Sequence, residues 1–157
     1  MIYRAYFAFL RAPRVNSNGV NTSPVYGFIS SFTDLVLKRR PDYAAVAFDL
    51  HGPTFRHELF PDYKANRDAQ PEDISAAIPF IHRFVKALGI VEASCQGYEA
   101  DDVVGSLAVR FAAEGRQVVM VTPDKDYAQL LRQGISMLRP RTGGEPEMID
   151  EAGVCEH

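Results

Sequence analysis

The chain has 157 residues, 46% of them hydrophobic, with 17 Lys and Arg against 20 Asp and Glu and a formal net charge of −3; this is enough for one compact domain with its own core and too balanced for a disordered charged tail. A pI near 5.8 argues against a passive nucleic-acid binder, whose affinity rests on phosphate contacts, so a nucleic-acid ligand would need something to offset the acid. Two cysteines, Cys95 and Cys155, are too few for a disulfide framework or a paired-cysteine zinc site, and no apolar run approaches the roughly 18 residues that span a bilayer, so the expectation is a soluble, unexported, cytoplasmic protein.

Val25, Phe28, Ile29, Phe32, Leu35 and Val36 recur at three and four residues, which predicts a helix over residues 25–38 with Ser23 as its cap and Pro24 as its first residue. Residues 43–48 are almost wholly apolar, the pattern of a strand buried on both faces, with Asp49 just beyond its carboxyl end. Pro71, Glu72 and Asp73 open a second helix whose apolar stripe runs from Ile74 to Leu88 and closes at Gly89, with a very short strand expected over residues 90–93. Helical spacing returns over residues 100–111, followed by a strand centred on residues 118–121, a short helix around residues 127–131, a strand near residues 135–138 and a turn at Gly143 and Gly144. Little structure is expected after Asp150. Strands alternating with helices imply an α/β fold with a mostly parallel central sheet covered by helices on both faces. With no repeat, linker or low-complexity segment, residues 1–157 are expected to form a single domain.

In open α/β sheets ligands collect beyond the carboxyl ends of the strands. The sequence puts Asp49 there after one strand and Asp124 and Asp126 after another, while Glu99, Asp101 and Asp102 stand at the first turn of the best amphipathic helix. Acids favour helix starts and turns for local reasons, which explains any one cluster but not their conjunction. Six carboxylates gathered within a few Å repel one another unless a cation intervenes. Oxygen ligands without His or Cys select Mg²⁺ or Mn²⁺, and two such ions about 3.5 to 4 Å apart suit phosphodiester hydrolysis.

Between Asp49 and the second helix, Arg56, Lys64 and Arg67 are interleaved with Phe55, Phe60 and Tyr63. Cations for phosphate and rings for base stacking are what a single-stranded or frayed end needs, although Glu58 and Asp62 also allow an ordinary solvated helix with charge pairs. The histidines His51 and His57 fit no ligand spacing.

Phe48 with Asp49, the stretches 55–60 and 63–67, the Gly97 to Val103 cluster and the Thr122 to Leu130 cluster together resemble the 5′-nuclease domain of bacterial DNA polymerase I and its flap endonuclease relatives, as do residues 3–6 and 25–28. The resemblance runs along the whole chain in order. It implies a PIN-like fold and a two-ion site of Mg²⁺ (or Mn²⁺) to which Asp49, Glu99, Asp101, Asp102, Asp124 and Asp126 belong, some through water. It also implies phosphate contacts from Arg4, Arg56, Lys64 and Arg67, a mobile helical arch over residues 55–71, an approach of Lys64 to the scissile phosphate and stacking of Tyr63 on a terminal base. The implied activity is 5′-3′ exonuclease or flap endonuclease action on DNA with a 5′ end or flap, in replication and repair.

Two departures from that family stand out. Its members carry a strand ending in a metal-binding Asp ahead of the residues matching Ile2 and Tyr3, and they continue past the position of His157 into a helical hairpin that grips duplex DNA and supplies two further carboxylates. Without that strand, residues 43–48 and 118–121 are expected to close together or to recruit another chain, as in a homodimer through open strand edges. The rival readings are a catalytically inactive DNA-binding fragment and a small ribonuclease with a related acidic sheet, the latter disfavoured by the basic and aromatic segment.

Overall fold

The computed structural model describes residues 1–141 and 144–154. The chain packs as two compact units, the first made of Met1–Val46 with Phe55–Ala93, the second of Ala47–Thr54 with the chain from Ser94 onward. Charge divides unequally between them. The first unit carries 11 Lys and Arg against 8 Asp and Glu, the second 6 against 12, so the acidic excess lies in the second unit and the first has a cationic excess.

In the first unit, helix α1 (Ile2–Ala8) packs on α2 (Ser23–Arg39), and α2 packs on α4 (Glu72–Ala87), with β1 (Ala45–Ala47) and α3 (Phe55–Leu59) between them in the chain. The predicted stripe of α2 is the buried one: Phe28 and Phe32 stack at 5.8 Å, and both meet the ring of Phe84 on α4 edge-on. Ile74, Ala77, Ile81 and Val85 of α4 are buried at the four-residue and three-residue spacing of one helix face. The start of α2 differs from expectation. Its cap is Thr22, and Ser23 is already helical and almost fully buried, with its Oγ accepting a 2.8 Å bond from the backbone N–H of Arg14. Ser23→Ala would strand that donor, and unfolding experiments should show a loss of about 1 to 3 kcal/mol.

β1 pairs with β2 (Val91–Ala93) in a two-stranded sheet. The second unit holds α5 (Ala100–Ala113), β3 (Val118–Val121), a 3-10 helix over Lys125–Leu130, β4 (Ile135–Arg139), β5 (Glu147–Ile149) and α6 (Glu151–Val154). Its sheet has the order β3-β4-β5, with β3 parallel to β4 in the register Val118↔Ile135 and β4 antiparallel to β5. The fold is therefore α/β as expected, but the sheet is mixed and divided in two.

The expected closing of β1 on β3 does not occur: they belong to separate sheets. Parallel pairing needs a crossover, and the 3-10 helix provides one from β3 to β4. β5 and α6 went unforeseen, β5 because three residues are too few to show alternation. Gly143, one half of the predicted turn, lies outside the described residues. Met120, Ile135, Met137 and Ile149 of this sheet are buried with Ala108 of α5 and with Tyr127 and Leu131, the core on which the functional side chains rest.

Candidate functional site

The six acidic candidates all fall in the second unit, on three chain segments. Asp49 follows β1 by two residues, and its Oδ1 accepts a 2.8 Å bond from the backbone N–H of Ala100, the first residue of α5. This is one of the amide groups a helix start leaves unpaired, so a carboxylate 51 positions earlier satisfies an orphan donor and also meets the positive end of the helix dipole. Glu99 precedes the helix and is buried; the Oδ2 of Asp102 accepts from its backbone N–H at 3.0 Å, half of a capping box. Local capping thus accounts for Asp102 and leaves Asp101 unexplained.

Asp101 is exposed, and its Oδ1 accepts a 2.7 Å bond from the phenol of Tyr127 on the 3-10 helix. The third segment begins at Asp124, whose Oδ1 accepts from the backbone N–H of Asp126 at 2.9 Å while its own N–H donates to Thr122 Oγ1. Burial foremost, then the bond to Asp101 and the charges of Asp101, Asp124 and Asp49, push the Tyr127 phenol far above the ordinary tyrosine range. Tyr127 therefore remains a neutral donor, and carboxylates from all three segments act on a single hydroxyl. Among the described residues no three acids form a ready-made metal shell. The donor set nevertheless fits hard divalent ions: it is all oxygen, and Asp49, Asp101, Asp124 and Asp126 are exposed, where hydrated ions can reach them.

The cationic candidates fall in the first unit. Only residues Phe55–Leu59 of the predicted arch are helical, followed by turns in which Tyr63 N–H bonds Phe60 O and Arg67 N–H bonds Lys64 O. Pro61 accounts for the early end, because proline disfavours helical backbone in the residue before it and has no N–H to give. Two of the cations, Lys64 and Arg56, nonetheless meet at one ring. Lys64 Nζ lies 5.0 Å and the Arg56 guanidinium 6.0 Å from the centre of Tyr63, and the His57 ring meets it edge-on at 5.4 Å. Lys64 has φ +60°, a left-handed conformation that costs a side-chain-bearing residue roughly 1 to 2 kcal/mol. Arg67 is exposed after this turn, and Arg4 is half-buried on α1.

Sequence reasoning missed Tyr127 as a site residue. The available signal was its place directly after Asp126, inside the Thr122 to Leu130 cluster.

The family described as the 5′-3′ exonuclease N-terminal resolvase-like domain matches residues 1–157, and the chain belongs to it. It is 45% identical over 139 residues to a DNA polymerase I of Treponema pallidum (strain Nichols), covering 88% of this chain and 14% of the polymerase. It is 37% identical over 139 residues to a 5′-3′ exonuclease of Aquifex aeolicus (strain VF5), covering 88% of this chain and 47% of that protein. The chain thus spans a minor part of these curated relatives. The T5 5′-exonuclease with bound zinc ions shares the fold, with a TM-score of 0.67 at 20% identity over 99% of this chain and 56% of the other. So does a T5 flap endonuclease in complex with DNA and metal ions, with a TM-score of 0.64 at 20% identity over 98% and 58%. Among the described residues no helix is long and apolar enough to cross a membrane.

Proposed function

We propose that this chain is the acidic catalytic portion of a divalent-metal-dependent 5′-3′ exonuclease or flap endonuclease, cutting DNA phosphodiesters near 5′ ends during replication and repair in the cytoplasm. The observation that supports it best is the tying of three acidic segments by two bonds, Asp49 to the Ala100 amide and Tyr127 to Asp101. Asp49, Glu99, Asp101, Asp102, Asp124 and Asp126 would hold Mg²⁺ or Mn²⁺. When bound, such ions supply an activated water and neutralise charge on the phosphodiester. The side chains of Arg4, Arg56, Lys64 and Arg67 hold phosphate oxygens, and the ring of Tyr63 offers a face to an unpaired base.

The direct test is cleavage of a 5′-labelled flapped duplex in Mg²⁺ or Mn²⁺, with an EDTA control. Metal-dependent cutting near the 5′ end supports the reading. Binding of the flap with no cleavage in either metal would replace it with a DNA-binding fragment. The cationic half has its own test in fluorescence anisotropy across a salt series. Lys64→Ala and Arg67→Ala should each weaken flap binding and lower the slope of log affinity against log salt by about 0.7 to 0.9, the share of one phosphate contact.

A further inference from the structure

The Tyr127 ring lies in the core of the second unit, packed with Ala108, Met120, Leu131, Ile135, Met137 and Ile149. Its hydroxyl emerges at the acidic rim and donates to Asp101 at 2.7 Å. A phenylalanine would fill the same space, so core packing explains the ring and leaves the hydroxyl unexplained. That hydroxyl joins the first turn of α5, which carries Asp101 and Asp102, to the 3-10 helix that begins beside Asp124 and carries Asp126. A side chain that accepts a charge-assisted hydrogen bond on one oxygen loses rotamer freedom. An acid fixed in this way binds an ion without first paying to be ordered, which is why partners behind metal ligands matter almost as much as the ligands themselves.

We propose that Tyr127 is a positioning residue for divalent metal binding, holding the Asp101 carboxylate in place through its phenol and keeping the α5 start in register with the Asp124 segment. This rests on the nuclease reading above.

The test is Mn²⁺ binding to the purified chain, read from the electron paramagnetic resonance of free Mn²⁺, with thermal melts in EDTA alongside. Tyr127→Phe should melt as a folded protein and raise the Mn²⁺ dissociation constant about 10- to 100-fold. In an Asp101→Asn background the same change should have little further effect, since the charged partner is already gone. Equal or tighter Mn²⁺ binding by Tyr127→Phe, or a full additional loss in the Asp101→Asn background, overturns the proposal. Loss of folding in Tyr127→Phe also overturns it, because the hydroxyl would then be structural. No Mn²⁺ binding by the parent chain is a different failure: it removes the metal-dependent reading itself, and this proposal with it.

Discussion

Asp102→Asn is expected to reduce metal-dependent flap cleavage by about a thousandfold, equivalent to roughly 4 kcal/mol of transition-state stabilisation, with little change in thermal stability. Asparagine keeps an oxygen that can accept from the Glu99 backbone N–H, the bond Asp102 makes at 3.0 Å, so the capping contribution survives while the charge is lost. Asp102→Ala removes both and should cost about 1 kcal/mol of stability as well. Comparing the two separates helix capping from metal chemistry. Asp126→Ala is an independent check, since its backbone N–H and not its carboxylate makes the bond to Asp124; it too should lose cleavage and stay folded. Full activity in both Asp102→Asn and Asp126→Ala would leave the acidic rim without a catalytic role.

Gly27→Ala is expected to destabilise the first unit by about 1 to 3 kcal/mol, against the usual direction for a glycine inside a helix. Alanine normally gains close to 1 kcal/mol over glycine there. At position 27, however, a Cβ would lie 2.6 Å from the Ala5 Cβ and 3.2 Å from the Ala5 Cα, and α1 cannot yield there without moving its backbone. Gly105 of α5 gives the contrast, because a Cβ there meets only the Leu130 Cδ1 at 3.1 Å, a flexible side-chain end that can shift. Gly105→Ala should therefore be near neutral. Denaturant titration of the two variants measures the difference, and Ala5→Gly should cost less in the Gly27→Ala background than in the parent, a coupling expected only between groups in contact. Equal stability of Gly27→Ala and the parent would mean that α1 and α2 are not packed this closely.

What could be read from the chain follows the range of the forces involved. Helices α2, α4 and α5 were legible because their buried faces repeat at three and four residues, and hydrophobic period is a local property. The acidic and cationic candidates were legible as clusters, because each lies within a short stretch and the kinds of residue present restrict the chemistry. Strands of three residues were at the limit, and β5 fell below it. The arch region was read as helical from its family resemblance, whereas Pro61 limits the helix to Phe55–Leu59.

Pairings between distant segments were not legible, since a hydrogen bond across 51 or 26 positions leaves no local pattern. The Asp49 carboxylate on the Ala100 amide and the Tyr127 phenol on Asp101 exist only because packing brings those segments together. The same holds for strand partners: the sequence alone determined that short apolar strands alternate with amphipathic helices and that acids follow two of the strands. Only the tertiary structure decided that β1 takes β2, that β3 takes β4, and which acid has a buried tyrosine behind it, because sheet register and side-chain hydrogen bonds are settled by long-range burial and not by neighbouring residues.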